Sequence, residues 1–84
     1  MQSKLDPRTL GVAREIGDRI QRARIKANLS QATVAKSVGM TRTNYARIEY
    51  GKTNVTIDTL LRVAEGIGLA LQIKLVKGKR GKKA

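Results

Sequence analysis

Two arginines five residues apart, Arg42 and Arg47, with Thr43 and Asn44 beside the first, are the side chains best suited to selective chemistry in this chain. That chemistry is hydrogen bonding, not catalysis. A guanidinium can bond O6 and N7 of a guanine together, a threonine can meet a thymine methyl or a base acceptor, and an asparagine suits adenine. If the stretch is helical, Arg42, Thr43, Ala46 and Arg47 fall on one side at spacing i, i+1, i+4, i+5. None of them is needed by a core, and Ala46 would let the helix lie close to a surface. An α-helix fits the major groove of DNA, so Arg42, Thr43 and Arg47 are expected to read bases. Asn44, at the edge of the face, would reach adenine or a phosphate.

The elements that must hold these residues lie between Ser30 and Glu49. Ser30 suits the N-cap of one short helix, with Val34, Ala35 and Val38 on one side of it. Gly39 then interrupts the pattern where a helix end needs a positive φ. Thr41 caps a second short helix, whose apolar side carries Tyr45 and Ile48. Ala35 is small where two helices must cross. This order is that of a helix-turn-helix.

Other groups are placed to hold phosphates. Gln31 opens the first helix of the pair, where an amide and free backbone N–H groups can meet one phosphate together. Tyr50, Lys52 and Thr53 follow the second helix and would face the same DNA strand. Lys36 reads as a solvated surface lysine. Arg24 and Glu49 both sit beside apolar residues, and Glu49 without a partner would repel phosphate. They are expected to form a partly buried ion pair.

Composition sets limits on the chemistry. The 84 residues suit one small domain. Cysteine and histidine are both absent, which removes disulfides, thiolate metal sites and the commonest general base. No metal and no cofactor is expected. Glu15 and Asp18 read as solvated helix surface, not as a catalytic pair. Tyr45 and Tyr50 are the only rings, which argues against base-stacking RNA modules. The formal net charge is +12, and it stays positive without Lys77, Lys79, Arg80, Lys82 and Lys83 at the end. A polyanionic partner follows. No segment is apolar enough for a membrane span or a signal peptide, so the expected location is the cytoplasm, on the nucleoid.

In chain order, residues 1–9 are expected to be a flexible arm, although Asp6-Pro7 already signals a helix start. A helix over Pro7 to Ala27 would carry Leu10, Ala13, Ile16, Ile20, Ala23 and Ala27 as its apolar stripe. Gly11 and Gly17 each weaken it by roughly 1 kcal/mol relative to alanine, so its first turns could be separate. Gly51 ends the second helix of the motif. A fourth helix starts at Thr56 and would bury Ile57, Leu60, Leu61, Ala64 and Ile67, ending at Gly66 and Gly68. The period then changes to two. Leu69, Leu71, Ile73 and Leu75 alternate with Ala70, Gln72, Lys74 and Val76, which predicts a strand over 69–76. No other strand pattern exists to pair with it, so a second subunit should supply the partner across a two-fold axis. A continued helix or pairing with the arm are the alternatives. Residues 77–84 are expected to be a disordered basic tail that adds sequence-independent affinity for DNA.

Ile20, Arg24, Leu29-Ser30-Gln31, Ala35, Gly39, Tyr45, Ile48-Glu49 and Gly51 together resemble the Cro/repressor (Xre-type) DNA-binding domain, over roughly Ile16 to Ile67. The resemblance implies a lambda-repressor-like bundle over 10–68 whose second and third helices are the helix-turn-helix. It also implies that Gln31 contacts phosphate, that Arg42, Thr43 and Arg47 read bases, and that Arg24 and Glu49 form a buried pair. The family's usual fifth helix is missing. The run VTIDTLLRVAEGIGLALQIKLV, with a strand directly after the fourth helix, resembles HipB-type antitoxins. That resemblance implies a homodimer that represses its own operon and binds a HipA-type kinase toxin.

The fold class expected is therefore mainly α, a four-helix domain plus one C-terminal strand pairing across a homodimer. The leading functional expectation is a sequence-specific repressor of double-stranded DNA, with a palindromic operator. An Xre-type regulator without a toxin, a toxin-binding interaction module and an RNA-associated basic protein are the alternatives.

Overall fold

The computed structural model describes residues 5–78, and Met1 to Lys4 and residues 79–84 lie outside them. Four helices follow in order, α1 Pro7–Lys26, α2 Gln31–Ser37, α3 Arg42–Glu49 and α4 Ile57–Ile67. Each starts on a side chain that accepts a first-turn N–H: Asp6, Ser30, Thr41 and Thr56. Such a cap is worth about 1 kcal/mol. α1 begins at Pro7, so the last three residues of the expected arm are helical.

α3 packs against both α1 and α2, and α4 packs against the same two helices. The core is Val34, Ala35, Val38, Tyr45, Ile48, Val63 and Ile67, flanked by Ile20, Ala23, Leu29, Met40 and Val55. The turn between α2 and α3 depends on Gly39, which sits at φ 72°. The N–H of Met40 reaches back to the Ala35 carbonyl at 2.9 Å, closing the helix end.

α1 is continuous through both of its glycines, contrary to a separate first piece. Gly17 is buried, and a Cβ there would stand 2.4 Å from the Ile48 carbonyl oxygen and 2.5 Å from that of Glu49. The end of α3 lies directly on α1 at this point. The helix-propensity cost of Gly17 is therefore offset by a close crossing that no other residue permits.

Three expectations are corrected. On α4 Leu60 and Ile67 are buried as expected and Ala64 is half-buried, but the third core residue is Val63, while Ile57 is 65 % and Leu61 40 % exposed. Both stripes fit a 3.6-residue period, and only the packing of α4 on α2 and α1 decides between them. Ala46 is buried instead of lying on the free face of α3. The segment 69–78 forms neither helix nor strand. Leu71 is half-buried, but Leu69, Ile73 and Leu75 are exposed. A strand needs a neighbouring ladder, and the described residues of this chain offer none.

Candidate nucleic-acid interface

The junction of α1, α2 and α3 is built around the carboxylate of Glu49, whose side chain is fully buried. Arg24 donates to it through Nε at 2.6 Å and Nη2 at 3.1 Å. The remaining Arg24 nitrogen, Nη1, donates to the Leu29 carbonyl at 2.8 Å and so ties down the loop before α2. Tyr45, one turn before Glu49 on α3, donates its phenolic O–H to the same carboxylate. Gln31 donates from Nε2 at 3.0 Å. Four donors thus meet one carboxylate, and no buried side-chain polar atom among the described residues lacks a partner.

These contacts set the ionisation of the cluster. Burial pushes the Glu49 carboxyl up, but the bonds from Arg24, Tyr45 and Gln31 outweigh it and hold the group below its ordinary value. Burial first, then the bond to the Glu49 carboxylate and its charge, push the Tyr45 phenol well up. The cluster therefore consists of an ionised acid, a cation and a neutral phenol across the neutral range.

Gln31 extends the cluster to the surface. Its Oε1 accepts from Arg42 Nη1 at 2.9 Å. The orientation of its amide is forced by its partners. A carboxylate only accepts and a guanidinium only donates, so nitrogen must face Glu49 and oxygen must face Arg42. Each end of the amide expected at a phosphate thus already meets a protein group, and through Oε1 Gln31 braces Arg42. Only one of the two N–H groups on Nε2 is used, so the second is left for the expected phosphate.

Arg42, Thr43, Asn44 and Arg47 are all exposed, but they do not share one narrow face. At 100° per residue, five positions turn the helix so that Arg42 and Arg47 diverge by about 140°. Arg42 leans to α2 and its Gln31. Arg47 and Asn44 border the loop between α3 and α4. Tyr50 and Lys52 are exposed just after α3, and Thr53 is half-buried beside them. The α3 terminus is closed by Gly51 N–H to the Ile48 carbonyl and Lys52 N–H to the Arg47 carbonyl, at 3.1 and 3.0 Å. Lys36 is exposed and makes no ion pair among the described residues.

Two functional contacts escape a reading of the sequence. Tyr45 serves as a hydrogen-bond donor as well as a core ring, and its i, i+4 spacing to Glu49 was the available signal. The Gln31–Arg42 bond joins the first residues of two different helices and has no local signal.

A short basic domain of this build, with an outward helix held by a preceding one, is a DNA-binding module, and sequence comparison agrees. A helix-turn-helix family model matches residues 20–73. The chain belongs to that family of non-enzymatic DNA-binding transcriptional regulators. Among individual relatives, it is 39 % identical to control protein C.MunI of Mycoplasma sp. over 46 residues, 55 % of this chain and 62 % of the other. It therefore spans less than two thirds of that relative. It also resembles the crystal structure of the restriction-modification controller protein C.AhdI from Aeromonas hydrophila, with TM-score 0.68 and 27 % identity. That match covers 71 % of this chain and 87 % of the other. These relatives are controllers and not HipB-type antitoxins, so the expectation of a HipA-type kinase toxin as partner is withdrawn. The strand that prompted it is also absent among the described residues. No described helix is long and apolar enough to cross a membrane.

Proposed function

We propose that this chain is a transcriptional controller that accompanies restriction–modification genes and binds an operator in duplex DNA as a homodimer. The observation that carries the reading is the fold match to a protein of that kind over nearly all of the latter's length. The exposed row Arg42, Thr43, Asn44 and Arg47, set on a helix held rigidly from behind by the Glu49 cluster, supports it. α3 enters the major groove and presents that row. The N-terminus of α2, Tyr50, Lys52 and Thr53 meet the phosphates on either side.

The dimer rests on a second observation. Ile57, Leu61, Leu69 and Ile73 leave apolar surface exposed along α4 and the segment after it, and a second copy would cover it. In that assembly residues 69–76 gain the strand partner that the described residues of one chain do not supply. Two copies of α3 then address half-sites about 34 Å apart, so the operator is a palindrome.

The test is a band-shift with the duplex upstream of the chain's own gene and a scrambled duplex of equal length. The native chain should retard the first at lower concentration, and Arg42→Ala should remove that preference. Equal retardation of both duplexes by the native chain would end the proposal.

A further inference from the structure

We propose that a recess between α3 and the loop leading to α4 seats the DNA sugar–phosphate backbone, with Arg47 and Asn44 gripping a phosphate, so that base reading falls to Arg42 and Thr43. The inference rests on the DNA-binding reading and divides its contact row in two.

The recess holds about 240 Å³. Asn44, Arg47, Thr53 and Asn54 are among its polar walls, and Ile48 and Val55 among its apolar ones. No carboxylate lines it, and Arg47 pairs with no acid among the described residues. One cation with several neutral polar groups suits a singly charged phosphodiester oxygen pair. Apolar walls suit the carbon skeleton of the adjoining deoxyribose. The edge of a stacked base is flat and does not enter a recess, whereas the backbone of a duplex is a raised ridge.

Arg42 stands in a different environment. Gln31 holds one of its nitrogens at 2.9 Å and limits its rotamers. A fixed fork is what guanine recognition requires. Arg47 lies about 140° around the helix from it, above a concave surface with no such brace. Thr53, half-buried in the loop, is placed to contact the same phosphate as Arg47.

The experiment uses the full chain and a duplex that it selects from a randomised pool, with an unrelated duplex as control. For each variant the affinity is followed against salt. Arg47→Ala should weaken both duplexes by a similar factor and make the salt slope shallower by about 0.9 for one lost phosphate contact. Arg47→Lys should restore both, because an ammonium holds a phosphate but lacks the fork that guanine needs. Arg42→Lys should instead abolish the preference for the selected duplex and keep the slope. Ethylation of one backbone phosphate should block the native chain and cost Arg47→Ala nothing further. A salt slope unchanged in Arg47→Ala, with discrimination lost at one base pair and not recovered by lysine, would make Arg47 a base reader and overturn the proposal. Failure of the DNA-binding reading itself is recognised separately, as a native chain that selects nothing from the pool.

Discussion

Glu49 lies buried with donors from Arg24, Tyr45 and Gln31 around its carboxylate, whereas Ile73 is 60 % and Leu75 98 % exposed. At the first site every polar group is answered within one chain. At the second, apolar side chains and backbone ladder groups are answered by nothing among the described residues. The first region is a finished joint that sets where α3 points. The second is apolar surface that the proposed dimer would cover. A small domain can hold one helix rigid by itself and still leave the proposed assembly to a second copy, because the two tasks use separate parts of the chain.

The largest expected effect comes from breaking the finished joint. Glu49→Ala should cost about 3–5 kcal/mol in urea unfolding, since it strands the buried Arg24 cation. Arg24→Ala should cost as much, and the double variant should cost far less than the two together. Acid should act in the same direction. The Glu49 carboxyl is held below its ordinary value in the folded chain, so it contributes stability above that value. The contribution is lost as pH falls through the folded value. Glu49→Gln should flatten this acid limb, and an unchanged limb would mean that other carboxylates control it.

Helix crossing gives the next largest effect, and its two glycines should respond with opposite sign. Gly17→Ala pushes a methyl into the backbone of α3 and should destabilise by about 1–3 kcal/mol. Gly11→Ala meets nothing within 4 Å and should stabilise by up to about 1 kcal/mol. Thermal unfolding of the two variants against the native chain decides it. Equal shifts would show that α1 does not press on α3 as closely as the geometry has it.

The open surface should give the smallest effect on folding and a clear one on assembly. Leu61→Lys and Ile73→Lys should each change the monomer's stability by less than about 0.5 kcal/mol. Sedimentation should show each shifting the chain from dimer to monomer. A native chain already monomeric at high concentration would remove the contrast between the two regions.

Much of the fold was legible because its signals are local. Asp6, Ser30, Thr41 and Thr56 each mark a helix start by side-chain chemistry, and Gly39 marks the turn by its backbone freedom. The Arg24–Glu49 meeting could be argued because a charge among apolar residues needs a partner. The α4 stripe is legible at Leu60 and Ile67 but ambiguous beside them, because Leu60 with Val63, and Ile57 with Leu61, fit the same helical period. Ala46 was misjudged because a small apolar residue fits a core and a groove-facing side equally. The period-two run at 69–76 speaks for a strand only where a ladder exists.

The sequence by itself determined four capped helices, a tight turn before α3, a basic surface and two arginines on an exposed helix, since capping, periodicity and charge act within a few residues. Only the tertiary structure decided that Gln31 faces Glu49 on one side and Arg42 on the other, that Gly17 lets α3 rest on α1, and that Arg42 and Arg47 look onto different surroundings. Those relations join residues from separate helices, and they exist only once packing has brought the helices together.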